Sequence, residues 1–269
     1  NKGGKEMRAL WTAASGMKAQ QLNVDTIANN LANVNTTAFK KQRMEFKDLL
    51  YEQLSRTNLN EGQGRPVNLE IGHGVMPIAT TRSFSKGNLE QTHNSLDFAI
   101  DGDGFFVVSD SNGNLFYTRD GSFKLSVEDD EVYLVTSDGY FVQSDAGEVE
   151  LGSEIEEISV REDGLIFVKR TGEEEFEEIA QLLLVRFPNP AGLEAVGKNL
   201  YTQTPASGEP IEAFEGEAGS ILQGFLETSN VQVVDEMVKL ITAQRAYEIN
   251  SKSIQTADQM LEQANNLKR

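Results

Sequence analysis

Residues 10–39 read LWTAASGMKAQQLNVDTIANNLANVNTTAF. Leu10, Met17, Val24 and Leu31 recur every seven residues, and Ala13, Gln20, Ile27 and Val34 follow each of them by three. Apolar side chains at alternating spacings of three and four fall on one face of an α-helix, so the stretch predicts an amphipathic, coiled-coil-like helix interrupted by Gln20. The far end of the chain repeats the design. Leu240, Tyr247, Ile254 and Leu261 are seven apart, and Ala243, Ala257 and Ala264 stand three after three of them. Ahead of this second seam, Ser229 and Gln232 fit a capping box in which each satisfies the other's backbone donor. Neither seam is sustained enough to stand alone, because an isolated helix in water is marginal until something covers its apolar face. Each needs a partner, and the two ends of the chain are expected to meet.

Working outward, Ala14, Ala28 and Ala32 line the flank of the first helix, where small side chains let a neighbouring backbone come close. Trp11, the sole tryptophan, is expected to pack in the seam. Asn23, Asn29, Asn30, Asn33 and Asn35 crowd the same run, although asparagine costs a helix several tenths of a kcal/mol relative to alanine. They sit either on a wet face, which composition alone favours, or in hydrogen bonds across a packed interface. Thr36 and Thr37 predict a break. After it Phe39, Arg43, Phe46, Leu49 or Leu50, and Leu54 resume a helical spacing, while Lys40, Lys41 and Arg43 read as a small solvated basic patch. From Ser55 to Gly74 the pattern dissolves into Asn, Glu, Gly and Pro, which predicts a long loop or extended connector.

From Val75 the period changes to two. Short β-rich runs alternate with Asp101-Gly102-Asp103-Gly104, Asn112-Gly113-Asn114, Asp120-Gly121, Asp138-Gly139, Asp163-Gly164 and Thr171-Gly172. Asn or Asp followed by Gly accepts the positive φ of tight hairpin turns, so the middle is expected to be a meander of antiparallel strands. Pro188-Asn189-Pro190 and Pro205 to Pro210 mark a looser return. The resulting expectation is an α+β chain. Its N- and C-terminal amphipathic helices, 7–50 and 227–269, form a discontinuous helical assembly domain, with an extended connector at 51–75 and a central, mostly antiparallel all-β domain at 76–226.

Composition narrows the chemistry. The net charge of −18 is concentrated in the middle: residues 57–226 carry ten Lys/Arg against 31 Asp/Glu. Such a body repels phosphate backbones and anionic lipid, so neither nucleic acid nor a membrane surface is an expected partner. No stretch approaches the roughly 20 apolar residues of a membrane span, and no cleavable signal pattern is evident. Residues 1–6 carry no periodicity and do not begin with methionine, so they are left out of the fold. With no cysteine, thiol catalysis and thiolate metal sites drop out together. The loops at Asp101 and at Asp110, Asn112 and Asn114 lack the ligand pattern of a calcium loop, because their later positions fall on Phe105, Leu115 and Gly121. They read as turns. His73 and His93, the only histidines, have no zinc spacing, and no Gly-rich phosphate cradle appears. No catalytic residue, cofactor or metal is expected.

The run from Leu10 to Met17 and the run from Ile27 to Lys40 resemble the amino-terminal signature of bacterial flagellar rod and hook proteins. So do Glu227-Thr228-Ser229-Asn230-Val231, Gln244 to Lys252 and Asp258 to Leu261 at the far end, and Asp101 to Phe106 and Tyr117 to Phe123 in the middle. The resemblance runs through nearly the whole chain after residue 6 and is strongest to the family's distal rod subunits. One departure is Ala38, where the family has glycine. The resemblance implies a non-enzymatic axial subunit that polymerises with copies of itself into a rigid helical tube around the export channel, the drive shaft that carries motor torque to the hook. Its implied partners are proximal rod and hook subunits and the surrounding bushing rings. It implies a basal-body location reached by export without a cleaved signal, spanning the periplasm where there is an outer membrane. The implied intersubunit positions are Leu10, Met17, Val24, Ile27, Asn30, Leu31, Asn33, Val34, Phe39, Leu240, Tyr247, Asn250, Ile254 and Leu261, which turns the asparagines into interface hydrogen bonds. A hook or proximal-rod subunit, a β-rich adhesin on a helical stalk, and an acidic glycosidase are the competing readings.

Overall fold

The computed structural model describes residues 3–55, 69–128, 131–152, 155–172, 175–212 and 219–266. It confirms the α+β plan, with one long helix at each end and antiparallel strands between. The chain divides into two compact units, one of residues 1–32, 42–82 and 232–269, the other of residues 33–41 and 83–231.

In the first unit, helix α1 (Gly3–Ala32) packs against helix α2 (Val233–Asn266). The helix predicted to resume after Thr37 is not there. Gln42–Asp48 is instead a strand, β1, and the connector supplies two more, β2 (Tyr51–Ser55) and β3 (Leu69–Gly72), before β4 (Val75–Arg82). β1 pairs antiparallel with β4 from Gln42↔Arg82 to Asp48↔Val75, and β2 pairs with β3, so the segment is a two-stranded ribbon. The apolar spacing from Phe39 to Leu54 was compatible with a helix, but Val75, Ile78, Thr80 and Thr81 offered a β-branched partner, and strand pairing overrode the local pattern. Residues 56–68, most of the predicted connector, lie outside the described residues.

The second unit holds a ten-stranded antiparallel sheet with a main path of strands 194–197, 200–202, 115–118, 105–109, 141–144, 131–136 and 123–128. A three-stranded meander, 155–160, 165–170 and 177–181, forms a sheet of its own. The strand Phe105–Ser109 is buried throughout, and the two-residue period explains how. Phe106 and Val108 enter one core with Phe98, Phe123, Leu134 and Val142, while Phe105 and Val107 enter a second with Tyr117, Phe187 and Tyr201. Most predicted hairpins are present, including the Asn112-Gly113 turn, where the Asp110 carboxylate accepts the Asn112 and Asn114 amides, both at 2.9 Å. Asp101 to Gly104 and Asp120-Gly121 are different: strand 115–118 pairs with 105–109 and 200–202, not with 123–128. Strand Phe98–Asp101 pairs with Ser220–Gln223, near the end of the chain, and not with the strand that follows it.

Candidate assembly surface

α1 and α2 run antiparallel. Asn30 Nδ2 donates to Glu236 Oε2 at 3.1 Å, and fourteen residues back along α1 a Cβ on Gly16 would lie 2.9 Å from Nδ2 of Asn250, fourteen residues on along α2. Gly16 therefore lets Asn250 close the gap between the helices. The constant offset brings the two heptad seams together. Ile27 and Asn30 are buried, as are Ala13, Ala243 and Glu236, while Leu10, Met17, Val24, Leu31, Leu240, Asn250, Ile254 and Leu261 are half-buried. Asn30 and Asn250, two of the expected intersubunit positions, thus lie in contact between the helices of one chain. Asn33, Val34 and Phe39, half-buried too, follow the helix, and Tyr247 is exposed.

The asparagines split between the two readings. Asn29 and Asn35 are exposed, but the buried Asn30 acts as a surrogate strand: its Oδ1 accepts the Gln42 amide at 2.9 Å and its Nδ2 donates to the Gln42 carbonyl at 2.8 Å. That clamp starts β1 beside α1. The expected capping box is absent. Ser229 Oγ accepts from Val231 N at 3.3 Å, and α2 begins only at Val233, with the Gln232 carbonyl taking the Glu236 amide. Asp235 and Glu236 in the first turn suit the positive end of the helix dipole.

α2 carries a second apolar face. At about 100° per residue, Val234, Val238, Ile241 and Ile249 project from the side roughly opposite Leu240, Ala243 and Ile254. Their exposures run from 47% for Ile241 to 74% for Val234, with Met237 and Met260 also open. Trp11, expected in the seam, is 68% exposed on α1. Ala14, Ala28 and Ala32 are exposed as well, as their flank position requires. α2 is thus apolar on two opposite sides, one covered by α1 and the other open.

The second unit holds a charged cluster that reading the sequence residue by residue missed. Lys40 Nζ donates to Glu227 Oε1 at 2.6 Å and to the Ser85 carbonyl at 3.0 Å. Arg119 Nε donates to Glu227 Oε2 at 2.8 Å, and its remaining nitrogens donate to the carbonyls of Gly104, Ile100 and Gly102. The Gly87 amide also donates to Glu227 Oε1 at 2.7 Å. All three side chains are essentially solvent-free, so Lys40 is a buried ion and not part of a solvated patch. Burial lowers the Lys40 pKa, and Arg119 adds to the effect. Burial alone would raise Glu227, but Arg119, Lys40 and the Gly87 amide hold it below the usual carboxylate range.

Around this cluster the chain is stitched where it enters and leaves the unit. Ala38 N donates to the Glu227 carbonyl, Lys41 N to Asn230 Oδ1, Ser83 N to the Lys41 carbonyl, and Asn230 Nδ2 to the Ser83 carbonyl. Ala38 holds this turn at φ 55 with its methyl group buried. A left-handed alanine is strained by roughly 1 kcal/mol, but Ala38→Gly also gives up a buried methyl worth about 0.8 kcal/mol, so it should change stability in urea unfolding by less than about 0.5 kcal/mol.

The description "Flagella basal body rod protein" matches residues 10–40, "Flagellar hook protein FlgE/F/G D1 domain" residues 99–168, and "Flagellar basal body rod FlgEFG protein C-terminal" residues 222–267. Flagellar basal-body rod protein FlgG of Borreliella burgdorferi is 50% identical, covering 98% of this chain and 99% of that one. The proteins of the same name from Caulobacter vibrioides and Bacillus subtilis are 43% and 37% identical, covering 97% and 98% of this chain and all of theirs.

Proposed function

The chain belongs to the flagellar basal-body rod protein family, and from that premise we propose how it builds a shaft. It is a structural subunit of the distal rod in the flagellar basal body. The observation that carries the mechanism is the two-faced α2. The seam spends one apolar face on α1 and yields a stiff helix pair; the opposite face, Val234 to Met260, is left for the helix pairs of neighbouring copies. Ala14, Ala28 and Ala32 give those neighbours a flank they can approach closely. A patch on α2 that meets a different patch on the next copy is a heterologous contact, and where the rotation between copies does not close into a ring such contacts generate open helical polymers.

In this reading the helix pairs line a tube around an export channel. The rod continues into proximal rod subunits at one end and hook subunits at the other, with ring proteins as its bushing. Subunits travel through that channel and join a shaft that spans the periplasm where there is an outer membrane. The ribbon of β1 to β4 stiffens the polymer. Both its faces are partly open, with Met76, Ile78 and Phe46 exposed, and a two-stranded ribbon is marginal until something packs on it. The packing partner is a neighbouring subunit.

Electron microscopy tests this reading. Full-length chain at high concentration should form straight tubes, and chain lacking residues 1–39 should form none. Deleting residues 55–65 should leave polymers that bend. Stable discrete trimers in place of tubes would support a stalked adhesin, and straight tubes after the deletion would remove the ribbon's role.

A further inference from the structure

Lys41 and Ser83 follow Gln42↔Arg82 in the antiparallel register, and a hydrogen-bonded antiparallel pair exchanges two N–H···O=C bonds. Here only one of the two is direct. The Ser83 amide donates to the Lys41 carbonyl at 2.9 Å. The other is relayed through a side chain: the Lys41 amide donates to Asn230 Oδ1 at 2.8 Å, and Asn230 Nδ2 donates to the Ser83 carbonyl at 2.9 Å. A primary amide offers the same donor and acceptor as a peptide group, so Asn230 stands in the ladder where a second direct bond would be.

The same residue reaches further along both segments. Its Nδ2 lies 3.0 Å from the Ser85 carbonyl and 3.0 Å from Ser85 Oγ, and its backbone amide donates to the Phe39 carbonyl at 3.3 Å. Nearby, the Ala38 amide donates to the Glu227 carbonyl at 2.7 Å. The chain leaves the second unit after Lys41, re-enters it at Ser83 and leaves again after Val231. Asn230 therefore binds the segments 38–41, 83–85 and 227–230 to one another at three of the four points where the chain passes the limits of the unit. Truncating its side chain would leave the Lys41 amide and the Ser83 carbonyl facing the gap that the amide had filled.

We propose that Asn230 is a positioning residue that makes these three segments one cooperative unit, opening and closing together and independently of the two cores of the β body. A pull on any one pass is then shared by the other two, which suits a subunit of a rod. The inference concerns the folded monomer and does not depend on how copies of the chain meet.

Native-state hydrogen exchange on the full chain tests it. In the unaltered chain the amides of Ala38, Lys41, Ser83 and Asn230 should share one opening with one urea dependence, at a lower free energy than the amides of the buried strand Phe105–Ser109. Asn230→Ala should speed exchange at Lys41, and equally at Ala38 and Ser83, whose amides do not donate to the Asn230 side chain, by about tenfold or more. The Phe105–Ser109 amides should keep their rates. Asn230→Asp is the second variant. It retains an acceptor for the Lys41 amide but sets a carboxylate oxygen against the Ser83 carbonyl, so the same three amides should again accelerate together. A purely local hydrogen bond would leave Lys41 protected in that variant. Separate openings in the unaltered chain, acceleration confined to Lys41, protection of Lys41 in Asn230→Asp, or equal acceleration throughout Phe105–Ser109 would each overturn the proposal.

Discussion

Glu227→Gln should destabilise the β body by about 3–5 kcal/mol, while Lys40→Met should cost only about 1–2 kcal/mol, although the two residues share one hydrogen bond. The asymmetry follows from the charge balance of the cluster. Glu227 is the single anion between Lys40 and Arg119, and all three are shielded from water. Removing it leaves two like charges buried together with only carbonyl acceptors. Removing Lys40 leaves Arg119 and Glu227 as a matched pair that still receives the Gly87 amide. Urea unfolding monitored in the β-sheet region of the circular dichroism spectrum measures both. Equal losses for the two variants would mean that packing, not charge, sets the cost.

The same cluster fixes the sign of the pH dependence. Glu227 has a folded-state pKa below its unfolded value of about 4.5. Its contribution is complete above that value and is lost as pH falls through the folded pKa. Lys40 is also lowered in the folded state, so between its folded pKa and 10.5 the unfolded chain holds more protons and stability rises with pH. Both windows slope the same way, as expected of a buried cluster with one cation too many. In Glu227→Gln the acid-side slope from this residue should vanish.

The terminal seams were legible because a seven-residue period survives any choice of partner: Leu10 to Leu31 and Leu240 to Leu261 could only be helices with a face to cover. The β meander was legible through its Asn-Gly and Asp-Gly turns. What could not be read locally were features made by distant residues. Gln42–Asp48 became a strand through Asn30 and through β4, more than 30 residues on. Lys40, Arg119 and Glu227 lie far apart along the chain, and each alone resembles an ordinary surface charge. A signal did exist. Each lies in a run that carries the family resemblance: the run ending in Lys40, the run containing Arg119 and the run beginning with Glu227. Charged residues embedded in such runs are candidates for buried pairs. The seam shows that a face is covered without saying whether the cover comes from the same chain or from a neighbour.

That distinction yields the second large effect. Ile241→Glu, on the outward face of α2, should abolish polymerisation while leaving the helix pair and the β body folded. Ile241 is already 47% exposed, so a carboxylate there meets water in the monomer and costs well under 1 kcal/mol of its stability. In the polymer the same carboxylate would be buried against an apolar neighbour without a counterion, at a cost of several kcal/mol per contact repeated at every subunit. Charges at Leu31 and Ile254, in the seam, should behave differently. These positions face the partner helix, so the substitutions should loosen α1 from α2 and lower the helical signal, with polymers lost as a secondary effect and the β body unchanged. Sedimentation velocity together with helical circular dichroism separates the two classes. Ile241→Glu should remain a monomer with full helix content, and the seam variants should be monomers with reduced helix content. If Ile241→Glu still polymerised, the outward face would not be the subunit interface. If the seam variants kept their full helical signal, the pairing of α1 with α2 would not be what orders the two ends.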